Sequence, residues 1–142
     1  MTNGIYAILL DLPQNAVVRT RCKVFTLDAG YYTYIGSAMS GLEARINRHL
    51  RPNKRKHWHI DYLLERSVIF TIVCAKIDVR LECAVADGLA GLPGVSGFGA
   101  TDCRCRSHLF FSDAPDILER QVMGAFERAG LDPLVRRYHE LP

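Results

Sequence analysis

At 142 residues, with 49% apolar and 23% charged side chains, the chain has the size and balance of one folded domain spanning 1–142. Its 11 glycines and 6 prolines are scattered without period, which excludes fibrous and low-complexity classes, and a net charge of +3 decides no partner by itself. The longest apolar stretch, residues 68–75, is far shorter than a membrane span of about 20 residues, so no membrane partner is expected.

The N-terminus shows no basic segment leading into an apolar one, so no signal peptide is expected. The five cysteines are then read as reduced thiols of a cytoplasmic protein, with Cys74 as a small buried hydrophobe. In chain order, Gly4 to Leu12 reads as a β-branched, apolar strand that stops at Pro13. Residues 16–25 alternate Val18, Cys22 and Val24 against Arg19, Arg21 and Lys23, which predicts one half-exposed strand. Residues 31–35 form an aromatic strand ending at Gly36-Ser37. Ser40 and Glu43 then make a capping-box pattern, and Leu42, Ile46 and Leu50 place one apolar stripe on the helix that follows. A short helix over 57–65, a buried strand over 68–77 and a helix marked by Leu81, Val85 and Leu89 come next. After a glycine-rich loop, residues 109–111 read as a short strand, and Pro115 opens a last helix that Gly130 closes. The order predicts an α/β (α+β) domain with a small, mainly antiparallel sheet of three to five strands flanked by helices. Its core covers about 4–90, and a Gly/Cys/His segment with the C-terminal helix covers 91–142.

The charge is unevenly placed. Between Arg45 and His59 there are six Lys/Arg (Arg45, Arg48, Arg51, Lys54, Arg55, Lys56), three histidines (His49, His57, His59) and no carboxylate. Such a window suits phosphate backbone, so nucleic acid is the first partner to consider: DNA, with RNA as a second option. A solvated helix and loop is the plainer alternative.

Two tripeptides, Gly4-Ile5-Tyr6 and Tyr34-Ile35-Gly36, lie on predicted strands, followed by Ser37-Ala38 and by Leu42-x-x-Arg45-x-x-Arg48-His49 on the next helix. This combination resembles the GIY-YIG nuclease family, from Gly4 to about Leu89. Trp58-His-Ile-Asp-Tyr62, Gly97-Phe-Gly99, Asp102-Cys-Arg-Cys105 and Ser107-His-Leu109 resemble its Uri-type branch. The two motif tyrosines stand further apart than in better-known members, which leaves room for an inserted strand around 16–25. The resemblance implies a metal-dependent endonuclease that hydrolyses DNA phosphodiesters. With no appended recognition module, structure-dependent or weakly sequence-specific cleavage is expected, of the kind used in DNA repair. Tyr6 and Tyr34 would line the site, with Tyr6 helping to deprotonate or orient water. Arg45 would hold the scissile phosphate, for which a guanidinium's bidentate geometry is suited. His49 and His59 would assist, with His57 as a rival that spacing does not separate from His59.

Glu82, on a helix after the buried strand, resembles the family's single carboxylate ligand for Mg²⁺ or Mn²⁺, with Asp87 and Glu65 as rivals, and one carboxylate plus substrate oxygens suits Mg²⁺. Gly36, Ser37, Arg48, Arg51, Lys54, Arg55 and Lys56 are the expected nucleic-acid contacts. Cys103-x-Cys105-x-x-His108 sets soft ligands close together and makes Zn²⁺ a candidate, with Cys83 or His139 as a further ligand. Two other classes stay open: a nucleic-acid-binding module that does not cut, and a zinc-holding adaptor.

Overall fold

The structure, a computed structural model, describes residues 2–99 and 107–138. Strand β1 (Gly4–Leu12) is its axis. It pairs antiparallel with β4 (Gly30–Ala38) on one side and β5 (Val68–Lys76) on the other. Its apolar run is nearly unbroken because both faces of the strand are covered. Tyr6, Ile8, Leu10 and Leu12 pack with Leu42 and Ile46 of α1 (Leu42–Leu50), Ile60 and Leu63 of α2 (His59–Leu64), and Phe98. Ile5, Ala7 and Leu9 point to the other face, against Val85 of α3 (Glu82–Asp87) and Leu118, Val122 and Phe126 of α4 (Pro115–Arg128). The period of two along a strand thus divides the core into two clusters on either side of one sheet.

The sheet has five strands in the order β6-β4-β1-β5-β7, all antiparallel, and the domain is α+β as expected. Both edge strands, β6 (Leu109–Ser112) and β7 (Leu134–Arg137), come from the tail. No described helix is long and apolar enough to cross a membrane.

Four local expectations change. Residues 16–25 are two strands, β2 (Ala16–Arg19) and β3 (Val24–Leu27), paired as a separate hairpin. The chain turns because Thr20 closes on Lys23: its backbone N–H donates to the Lys23 carbonyl at 2.9 Å, and its Oγ1 accepts from the Lys23 N–H at 3.2 Å. Cys22 therefore sits exposed at a turn and not in a strand. Second, α1 begins at Leu42 with Gly41 as N-cap and no side-chain cap. The Thr2 carbonyl accepts the Leu42 N–H at 2.7 Å instead, and Glu43 is spent on a bidentate pair with Arg136 of β7. Third, β7 was not foreseen, being a short edge strand with mostly exposed side chains and no apolar alternation. Fourth, β4 runs through Gly36 to Ala38 where a break was expected.

Gly36 stands opposite Tyr6 in the β1–β4 register. A Cβ there would lie 2.5 Å from both Cζ and Oη of Tyr6, so the tyrosine ring occupies the space a side chain would need. Gly36→Ala is expected to destabilise the fold by about 1–3 kcal/mol, the usual range for overpacking a tight core. A urea titration reads this as a lower midpoint at unchanged slope. An unchanged midpoint would show that the ring does not need that space.

Candidate active site

A cleft of about 750 Å³ opens where β1, β4, the start of α1, the chain before α2, the hairpin tip and the start of α3 come together. Of the residues singled out in the sequence it is lined by Tyr6, Tyr34, Gly36, Ser37, Arg45, His59, Glu82 and His108. His57 lines it too, so both rival histidines are present.

Tyr6 and Tyr34 enter from adjacent strands with ring centroids 6.5 Å apart. Burial pushes the Tyr6 phenol up to about 12, an effect the nearby Arg45 guanidinium only partly offsets. Burial, with the neighbouring Tyr6, drives Tyr34 further above the ordinary tyrosine range. Both phenols are therefore protonated at neutral pH. Tyr6 can orient a water or donate to an oxyanion, but in this state it is not a base.

His49 does not line the cleft. It lies behind Tyr6, 2% exposed, with Nε2 2.8 Å from the Tyr6 hydroxyl. Burial lowers its pKa to about 3, so it is neutral. Its Nδ1 is buried without a partner among the described residues. An orphaned buried acceptor costs less than an orphaned buried N–H. The less costly tautomer is thus protonated on Nε2 and donates to Tyr6, leaving the phenolic hydrogen for a ligand. His59 is held differently. Its Nδ1 accepts the Gly99 N–H at 3.0 Å, so its proton sits on Nε2 while it is neutral. Burial, then the Lys23 charge, lowers its pKa. Gly99 reaches His59 from a left-handed conformation (φ +68°) in which an added Cβ would press Tyr34 Cε1 at 2.8 Å.

Arg45 donates one Nη1 bond to the Ser37 carbonyl at 3.1 Å, its guanidinium also hydrogen-bonds the Tyr6 side chain, and a fork of five donors leaves others for a ligand. Its guanidinium lies 4.4 Å from the Trp58 ring centroid, and Arg48 lies at the same distance from that ring. Arg48 is in turn fixed by a bidentate bond to Asp61, both contacts 2.9 Å. Asp61 is 1% exposed and also accepts the His57 and Trp58 N–H groups at 2.8 and 3.0 Å. Burial alone would raise this carboxyl. The Arg48 bond and the two N–H bonds outweigh it and hold Asp61 below its ordinary value.

The other five Lys/Arg of the basic window stay out of the cleft. Arg48 is a structural latch, Lys54 donates to the His49 and Arg51 carbonyls at the end of α1, and Lys56 pairs with Glu65 at 3.1 Å. Arg51 and Arg55 are exposed elsewhere. What lines the cleft instead is a set the sequence reading passed over: Arg21 and Lys23 from the hairpin tip, and Arg80 just before α3. With Arg45 they make four cations against one carboxylate, Glu82, among the described residues. A basic residue two positions before the proposed acid was a visible signal for Arg80; nothing local marked the hairpin.

Glu82 Oε1 is 3.9 Å from Arg80 Nη1, and Arg80 also reaches Ser37 Oγ at 3.3 Å. Glu82 Oε2 is buried with no hydrogen-bond partner among the described residues. A lone carboxylate oxygen of this kind fits a divalent cation completed by substrate oxygens and water. No cluster of three or more His, Cys, Asp or Glu able to hold a metal is found among the described residues. Cys103 and Cys105 lie outside the described residues. His108 is described, with Nε2 3.9 Å from Cys83 Sγ.

A family model described as "Domain of unknown function DUF123" matches residues 5–131. The chain belongs to this family. No curated protein and no solved structure matches the chain significantly. The DUF123 match takes in Tyr6, Tyr34, Arg45, His59 and Glu82, the hairpin and α4, and leaves out β7.

The Asp61 hub makes a testable statement about this DUF123 domain. A carboxyl held below its ordinary value contributes stability above the unfolded carboxylate pKa, and that stability is lost as pH falls through the folded value. Asp61→Asn should cost about 1–3 kcal/mol near neutral pH, because it takes the counter-charge from a half-buried Arg48 that keeps only its bond to the Arg55 carbonyl. It should also flatten the acid side of a stability–pH curve from denaturant melts. A parallel downward shift at every pH would contradict the charge-based role.

Proposed function

We propose that this chain is a metal-dependent endonuclease of GIY-YIG type acting on DNA phosphodiesters. One observation carries the reading: two strand tyrosines, Arg45, His59 and Glu82, which are remote in sequence, line one cleft with an excess of cations. Four cations against one carboxylate suit a polyanion, and the orphaned Glu82 oxygen suits a divalent cation.

Hydrolysis of a phosphodiester forms a bond from a water oxygen to phosphorus and breaks the bond to the leaving oxygen, which takes up a proton. Arg45 would hold non-bridging oxygens and carry the charge that develops on them. Ser37 would fix Arg45 through its carbonyl, and the Trp58 face would restrict the guanidinium's swing. The Tyr6 hydroxyl, with His49 donating to its oxygen, would orient the attacking water or a phosphate oxygen. His59, turned by the Gly99 N–H, would present its Nε2 proton. Glu82 would hold Mg²⁺ or Mn²⁺, which when bound supplies Lewis-acid relief of negative charge on the phosphate and the leaving oxygen. With a single protein carboxylate, such a cation would be held firmly only with substrate.

A second reading, a module that binds nucleic acid without cutting, is favoured by the protonated state of both phenols. A cleavage assay on plasmid, single-stranded and branched DNA with Mg²⁺ or Mn²⁺ separates the two. The nuclease reading expects metal-dependent cutting that Arg45→Ala reduces by about 100-fold or more, the scale for losing an oxyanion donor, and that Glu82→Ala abolishes by removing the carboxylate that would hold the metal. Salt-sensitive binding without cutting at any metal concentration would favour the module.

A further inference from the structure

The six Lys/Arg of residues 45–59 are the obvious basic surface, yet only Arg45 of them lines the cleft. The hairpin supplies cations there instead. Its buried residues alternate: Ala16 and Val18 on β2, Phe25 and Leu27 on β3. These anchor it to the Tyr6 side of the core, where the Phe25 ring meets Phe98 at 4.9 Å and His59 at 5.3 Å. The base is fastened as well, with Asn15 Oδ1 accepting the Ala29 N–H at 2.7 Å. An insertion secured at both flanks and closed tightly by Thr20 holds its tip in a definite place.

At that tip Arg21 and Lys23 are exposed, and neither has an ion-pair partner among the described residues. Lys23 Nζ lies 2.9 Å from where a Cβ on Gly97 would be, so its ammonium rests against the loop that carries Gly99. Its charge also depresses His59, which places it within electrostatic reach of the site. Arg48, Lys54 and Lys56, by contrast, are engaged by the protein itself.

We propose that the tip of the β2–β3 hairpin, through Arg21 and Lys23, is a phosphate-contacting wall of the cleft that grips the nucleic-acid backbone alongside Arg45 and Arg80. The proposal deepens the nucleic-acid reading of the cleft and rests on it. It moves the binding surface from the centre of the basic window to an element that carries no catalytic group.

The test compares two double variants that remove equal charge from exposed positions: Arg21→Ala with Lys23→Ala, and Arg51→Ala with Arg55→Ala. Binding to a fluorescein-labelled DNA duplex with a single-stranded extension is followed by anisotropy in EDTA over a KCl series. Thermal melts confirm that both variants are folded. The hairpin pair should weaken binding about tenfold or more and reduce the salt slope by about two, one for each lost phosphate contact. The 51/55 pair should stay within about twofold. Equal losses in both variants would mean bulk charge alone is at work, and a hairpin pair that binds like the unaltered protein would remove the wall; either result overturns the proposal. Loss of the wall with binding intact leaves the nuclease reading standing. Absence of salt-dependent binding by the unaltered protein would overturn both.

Discussion

The Tyr6 ring stands in the space that a side chain at Gly36 would fill, and the geometry of the cleft follows from that exchange. Because the ring crosses the neighbouring strand, its hydroxyl reaches His49 on α1 at 2.8 Å. Sheet and helix are thereby joined by a buried polar contact set inside an otherwise apolar cluster that includes Leu42 and Ile46. Such a contact adds only about 1 kcal/mol net when made, while an orphaned partner costs more, so its effect is to select one arrangement over others. In the selected arrangement Arg45, one turn before His49, faces the cleft.

A second hub decides what the basic window does. Asp61 neutralises Arg48 and accepts two backbone N–H groups at the start of α2. Trp58, the N-cap of that helix, has the guanidiniums of both Arg48 and Arg45 4.4 Å from its ring centroid. The chain Asp61–Arg48–Trp58–Arg45 runs from a fully paired buried carboxylate to a cation with donors to spare. Cation–π contacts are worth about 0.5–2 kcal/mol each. That is modest as stability and useful as orientation, since a guanidinium must present its fork at a fixed angle. Much of the apparent basic patch is therefore internal bracing, and the charge left for a polyanion is distributed over three separate elements: α1, the hairpin tip and the segment before α3.

The sheet and the candidate site were legible to different degrees. Strand β1 and helix α4 were plain because long apolar periodicity leaves one solution. Tyr6, Tyr34, Arg45, Glu82 and a histidine at 57 or 59 could be named together because the sequence resembles a known family; periodicity alone gave the elements that carry them but not their convergence. The hairpin was misread because alternation continues across Thr20–Lys23, and the turn is made by a Thr20–Lys23 closure and not by Gly or Pro. The capping-box pattern at Ser40 and Glu43 misled because the carboxylate is used over a long sequence separation, on Arg136. The same cause hid the fate of Arg48. A charge count along the chain carries no information about a carboxylate that folds back onto it.

The central claim is that Tyr6 is both the pillar that orders the cleft and a working group within it. Single-turnover cleavage of labelled DNA by Tyr6→Phe in saturating Mg²⁺ tests this most directly, because the ring stays and only the hydroxyl goes. The variant should remain folded, melt lower because His49 Nε2 is left without its buried partner, and cleave about 100-fold more slowly, as expected when a group that orients or protonates a reacting oxygen is lost. Cleavage at the unaltered rate would leave Tyr6 a structural residue and contradict the account.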